Sequence, residues 1–255
     1  MLRKVAVVLL IILNVTAVSV SAASLETEIK NDLKRFEGQV GIYAKNLRTG
    51  KAIEFNEDAV FPTASTSKLV VAMATYKYLY PKASYSKKEL YDSNIQYMMT
   101  VSDNNSFAEL LDEIDVYRPD ALNRVVKDLR LKKTMIHSEE AFEKYNYHSV
   151  TTPYEMAKVF ENIHGDKYLG KDKSNVLKYE LANTIFHDEI PRHMLTPVMH
   201  KVGQLDDVLC DVGIVDDGKD KILISAYTRT QQSDEYASDF IANISAKLYN
   251  ALRRK

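Results

Sequence analysis

The chain has 255 residues, a formal net charge of −1 and nearly equal numbers of basic (34) and acidic (35) side chains. That balance supplies no basic field for a nucleic acid, while 45% hydrophobic residues over this length suffice for one large domain or two intimately packed lobes. The single cysteine, Cys210, excludes an internal disulfide and reads as a core residue on an apolar strand.

Residues 1–23 begin with Arg3 and Lys4, continue with an unbroken apolar run from Val5 to Leu13 and end in small residues. This is the layout of a signal peptide, with cleavage after Ala22 or Ala23, and it predicts a secreted, periplasmic or otherwise extracytoplasmic protein. An uncleaved membrane anchor is the rival reading, because residues 14–20 extend the apolar segment; polar Asn14, Thr16 and Ser19 favour cleavage. Loss of Arg3 and Lys4 takes the formal charge from −1 to −3. No cysteine follows the segment to carry a lipid, and export without disulfides suits a bacterium. The remaining residues, 24–255, form the expected catalytic domain.

Residues 24–36 place Leu25, Ile29, Leu33 and Phe36 at helical spacing, and residues 40–47 and 51–55 read as strands around an Arg48-Thr49-Gly50 turn. Residues 61–80 then read as an entry loop followed by a buried helix, with Ser65 and Lys68 forming S-x-x-K on its first turn. A serine hydroxyl needs a base to become a nucleophile, and a lysine serves once desolvation or a nearby cation leaves part of it neutral. The pattern recurs at Ser84 and Lys87, but there it follows Pro81, is crowded by Lys82 and Lys88 and leads no apolar run, so a solvated connection accounts for it.

After a charged, tyrosine-rich connection, Ser102-Asp103-Asn104 interrupts the apolar residues of 95–114. Those three are ordinary cap chemistry for a helix over 107–114. Beside an activated serine they offer more: Ser102 as a proton relay to a leaving nitrogen, Asn104 as an amide that holds substrate, and Asp103 as the residue that fixes the turn. Residues 122–131 read as a helix and 132–149 as a polar stretch without periodicity. Thr151-Thr152-Pro153 opens another helix, which His164-Gly165 ends, and residues 175–185 form one more.

The final third changes period. Residues 199–205, 208–215 and 222–228 read as antiparallel strands, followed by an amphipathic helix over 236–252. A strand lysine such as Lys201 is usually solvent-facing, but Gly203 marks a place where another backbone or a ligand comes close. The N–H of Gln204 could then join that of Ser65 as an oxyanion hole, with Lys201 keeping Lys68 neutral and attracting a substrate carboxylate. His137, His148, His164, His187, His193 and His200 show no zinc-enzyme helix motif, and no metal or cofactor is expected.

S-x-x-K, S-D-N and K-x-G in this order resemble the penicillin-recognising serine enzymes, most closely the class A β-lactamases and related penicillin-binding proteins. The resemblance implies an α/β (α+β) sandwich: a five-stranded antiparallel sheet flanked by terminal helices, with an inserted helical lobe. It implies Ser65 as acylated nucleophile, Lys68 as general base and Ser102 as relay. Asn104 and Lys201 would bind substrate, and Ser65 with Gln204, beside Gly203, would form the oxyanion hole. The implied partner is a small-molecule β-lactam or a D-Ala-type cell-wall peptide, with no nucleic acid, and a monomer is expected.

Three departures bear on activity. The family's E-x-x-L-N glutamate, which positions the deacylating water, has no counterpart: Glu139, Glu140 and Glu143 lack the pattern and read as a solvated loop, and the family spacing falls near His137. Val202 replaces the family's usual Thr. The connection from Lys68 to Ser102 is short, which predicts a trimmed lobe and a more open cleft. The readings are therefore a class A-like hydrolase, a slow-turnover penicillin-binding peptidase or esterase, and a non-catalytic cell-wall binding module.

Overall fold

In the computed structural model, residues 22–253 are described. The secretory-signal reading falls, through residue 21, outside them. The first helix, α1 (Ala22–Arg35), turns Leu25, Ile29 and Leu33 inward, with Phe36 buried just past its end. Strands β1 (Gln39–Asn46) and β2 (Ala52–Phe55) follow, joined by a turn in which Gly50 takes φ +77°.

A two-residue strand, β3 (Phe61–Pro62), leads through a 3₁₀ turn into α2 (Ser67–Ala74). Every residue of α2 is buried, with Leu69, Val70, Val71 and Met73 at 0% exposure. Burial of side chains this size stabilises by roughly 1.5–3 kcal/mol each, which makes α2 a rigid base for the serine that precedes it.

The tyrosine-rich connection is itself helical. Helix α3 (Tyr85–Thr100) is capped by Ser84, whose Oγ accepts the Lys87 N–H, and the Lys87 ammonium pairs with Glu113. Its buried stripe is Tyr91, Asn94, Ile95, Met98 and Met99. Polar Asn94, bonded to Glu109 at 2.9 Å, and amphipathic Tyr91 hid that stripe from a reading based on apolar spacing. The second S-x-x-K is thus a helix cap.

Helices α4 (Asn104–Tyr117) and α5 (Ala121–Asp128) complete one side of the lobe. The stretch read as a solvated loop contains a short helix, α6 (Glu139–Tyr145), capped by Ser138. It buries only Ala141, so it carries no stripe for a periodicity argument to find. Strand β4 (Val150–Thr151) pairs with β3, and α7 (Pro153–His164) follows, capped by the Thr152 hydroxyl with Pro153 in its first turn. Helix α8 (Lys171–Ala182) begins before the expected 175 and ends before 185.

Strands β5 (Val198–Leu205), β6 (Val208–Asp216) and β7 (Lys221–Arg229) and the closing helix α9 (Asp234–Leu252) match the expected order. The antiparallel sheet runs β2-β1-β7-β6-β5, which brings amino- and carboxyl-terminal strands together and leaves β5 at an edge. Each face carries a core. Ile42, Ile224, Leu209 and Val202 pack beneath α1 and α9, whereas Tyr43, Val212, Ile214 and Tyr227 face the helical lobe. Ser65 lies where that lobe meets the free edge of β5.

Candidate active site

Thr63 ties the approach to Ser65 in place: its N–H donates to the Ser149 carbonyl at 3.1 Å. Ala64 then adopts φ +45°, a left-handed conformation that a side chain disfavours and that here turns the chain into the helix. Thr66 Oγ1 donates to the Thr63 carbonyl at 2.6 Å and meets the Tyr227 hydroxyl at 2.8 Å. Held on both sides, Ser65 is half-buried at the start of the helix, with Lys68 Nζ 3.1 Å from its Oγ.

The Lys68 ammonium lies within hydrogen-bond reach of three further groups: the Ser102 carbonyl at 2.6 Å, Ser102 Oγ at 3.2 Å and Asn104 Oδ1 at 2.7 Å. Ser102 reaches it by adopting φ +56°, a second left-handed non-glycine residue. Asp103 holds that bend by capping α4, its Oδ2 accepting the Ser106 N–H at 2.6 Å. Burial draws the Lys68 pKa down to about 8, against the opposing pull of Asp103. A lysine so placed is neutral in appreciable fraction near neutral pH and can take the Ser65 proton.

Lys201 enters from the sheet side, wholly buried, and donates to Ser102 Oγ at 2.9 Å and to the Val202 carbonyl at 2.8 Å. Burial first, and the charge of Lys68 second, lower its pKa to about 7. Five of the sequence-designated residues, Ser65, Lys68, Ser102, Asn104 and Lys201, therefore form one connected network.

Gly203 and Gln204 supply the edge. A Cβ on Gly203 would stand 2.8 Å from the Ser65 nitrogen and 3.0 Å from the Ala64 Cβ, so the close backbone approach expected from this glycine is present. The two-residue turn at Asp206-Asp207 makes Leu205 and Val208 a hydrogen-bonded pair, and alternation then leaves Gln204 opposite Leu209 in a non-bonded pair. The Leu209 carbonyl, which accepts from Thr228 Oγ1 at 2.7 Å, indeed points away toward β7. The Gln204 N–H consequently faces the free edge of the sheet.

A sequence profile of the Beta-lactamase enzyme family matches residues 24–91 and 78–252. The chain belongs to the Beta-lactamase enzyme family. Solved structures agree in fold. The TLA-1 extended-spectrum β-lactamase is similar at 19% identity and TM-score 0.79, over 91% of this chain and 99% of that one. A class A β-lactamase representative from Bacteroides cellulosilyticus is similar at 20% identity and TM-score 0.75, over 89% and 96%. PBP-A is similar at 21% identity and TM-score 0.75, over 89% and 95%.

In this β-lactamase-family chain the cleft above Ser65 has a volume of about 480 Å³. Lys68, Asn104 and Gln204 line one part of it, and His137, Tyr147, His148 and Ser149 line another. Glu139, Glu140 and Glu143 are not among its lining residues, nor is Val202, whose side chain packs into the core on the other face of the sheet. The replacement of Thr by Val is accommodated there as a buried apolar contact. The sequence named His137 only as the place where the family spacing falls, and His148 was missed because a lone histidine in a polar stretch without periodicity gives no signal until a loop folds it over a site.

Proposed function

We propose that the protein is an exported serine hydrolase of class A β-lactamase type, which forms an acyl-serine intermediate with β-lactams or related D-Ala-type cell-wall peptides. The observation that carries this reading is the 3.1 Å contact between Ser65 Oγ and a buried Lys68 whose pKa is drawn down to about 8. Neutral Lys68 takes the hydroxyl proton as Ser65 Oγ bonds to the substrate carbonyl carbon. The N–H groups of Ser65 and Gln204 hold the developing oxyanion, a contribution of about 3–4 kcal/mol per donor in such sites. Ser102, within reach of both lysines, passes the proton to the leaving nitrogen, Asn104 holds the substrate amide, and buried Lys201 acts through Ser102 Oγ.

Among the described residues no carboxylate lines the cleft. A carboxylate base of the E-x-x-L-N kind is therefore not what would activate the deacylating water, a step to which a positioned base contributes on the order of 10²–10⁴-fold. The basic, apolar amino-terminal segment supports export.

The test is the intact mass of the mature protein over time with a penicillin, beside Ser65→Ala. An adduct on the serine protein alone supports the reading, and its lifetime separates hydrolase from penicillin-binding behaviour. Absence of an adduct with penicillins and with D-Ala-D-Ala thioesters removes the reading.

A further inference from the structure

We propose that His148 is the general base that activates water against acyl-Ser65, with Glu139 as its positioning residue; this rests on the acyl-serine reading above. His148 lines the same cleft as Ser65 and Lys68, and its side chain is 53% exposed, so water reaches it. Its main chain is joined to the nucleophile's: the adjacent Ser149 carbonyl accepts the Thr63 N–H at 3.1 Å, two residues before Ser65. The other flank is tied to α6, where the Ser138 N–H donates to the His148 carbonyl at 2.8 Å.

Its ring is oriented by two groups from one helix. Phe142 stacks on the imidazole at 4.5 Å between centroids and 12° between planes. Glu139 Oε1 lies 3.5 Å from Nδ1. A carboxylate at Nδ1 favours the tautomer with the proton there and leaves Nε2 as the free base, which is the logic of any histidine base steadied by a third group. Glu139 is therefore remote from the acyl carbon and acts through the ring. Of the titratable groups around it, Glu139 from α6 is the one in contact with this imidazole, while His137, Tyr147 and Lys68 line the same cleft.

In the step, Nε2 takes a proton from water as the water oxygen bonds to the acyl carbon. The C–Oγ bond then breaks and the protonated Nε2 gives that proton to Ser65 Oγ, which restores the serine hydroxyl and the neutral imidazole. The product leaves as a carboxylic acid with the water's hydroxyl, and no oxidant or metal is required.

His137 provides the control, since it lines the same wall but its Nε2 lies 3.8 Å from Asp115 Oδ2 and it is not the ring stacked on Phe142. The experiment measures adduct formation and adduct loss separately, by intact mass after a pulse of penicillin, for the full mature protein and for His148→Ala, His137→Ala and Glu139→Gln. We expect His148→Ala to slow adduct loss tenfold or more while formation changes far less. Added imidazole should restore loss in His148→Ala, which a structural role would not permit. Glu139→Gln should slow loss by less than His148→Ala. Loss at the parent rate in His148→Ala, or slowing by His137→Ala in its place, overturns the assignment. A parent protein that never forms an adduct removes the acyl-serine reading itself, and this inference with it.

Discussion

Lys201 and Lys68 converge on a single oxygen: Ser102 Oγ lies 2.9 Å from the first ammonium and 3.2 Å from the second. Two cations around one hydroxyl disfavour double protonation, and the serine between them is held in a left-handed backbone conformation to make the contact.

The first prediction concerns pH. In the proposed mechanism acylation needs neutral Lys68, so its rate should rise with pH toward a plateau above about 8. Lys201→Met removes the group that donates to Ser102 Oγ at 2.9 Å, so acylation should slow on the order of tenfold or more. The folded pKa of Lys201, about 7, lies below its ordinary 10.5, so between those values the unfolded chain binds more protons and stability rises with pH. Lys201→Met should accordingly raise the unfolding free energy measured in urea at pH 7 by on the order of 1–2 kcal/mol, and have less effect near pH 10. A variant less stable at pH 7 than at pH 10, relative to the parent, would refute this.

Gly203→Ala tests the close approach at the edge of β5. The new methyl meets the Ser65 nitrogen at 2.8 Å and the Cys210 sulfur at 3.0 Å, so strand and nucleophile must separate. Acylation should fall by about 10²-fold, with a stability loss of roughly 1–3 kcal/mol. Adduct formation kinetics and urea unfolding measure the two effects independently.

Glu155 anchors the loop that carries the histidine wall. Its buried carboxylate accepts the N–H groups of Lys132, Lys133 and Thr134 and the Thr134 hydroxyl. Glu155→Ala leaves these donors unpaired and should destabilise by roughly 3 kcal/mol. Hydrogen exchange should increase first across residues 132–151, and uniform loosening of the whole chain would count against a local anchor.

Glu189 is buried behind the sheet edge, where its Oε1 accepts from Ser238 Oγ at 3.0 Å. Burial, reinforced by Asp211, raises its pKa to about 7. The folded state therefore binds the extra proton between about 4.5 and 7, and stability falls as pH rises through that window. Glu189→Gln should stabilise the protein at pH 8, on the order of 2 kcal/mol, and leave it nearly unchanged at pH 4.5. Equal effects at both pH values would show that another group governs the window.

The elements that were legible are those with a strong period or a strong cap. The α1 stripe, the three late strands and the Thr152-Pro153 helix start all follow from local chemistry. Helix α3 was not legible, because tyrosine and asparagine occupy core positions in its stripe, and α6 was not, because it buries a single alanine. In the site, Ser65 and Lys68 share one helical turn, so their pairing is a local property. Gly203 announced a close approach without naming its partner.

The amino-acid sequence by itself determined the reactive pair, the order of helices and strands and the edge glycine, because each depends on residues a few positions apart. Only the tertiary structure decided that Lys201, 99 positions from Ser102, meets it at 2.9 Å, that Val202 turns into the core and that His148 lines the cleft. Those facts depend on which sheet face a residue takes and on how an aperiodic loop folds back over α2. Such choices are fixed by packing between distant segments, and local spacing carries no record of them.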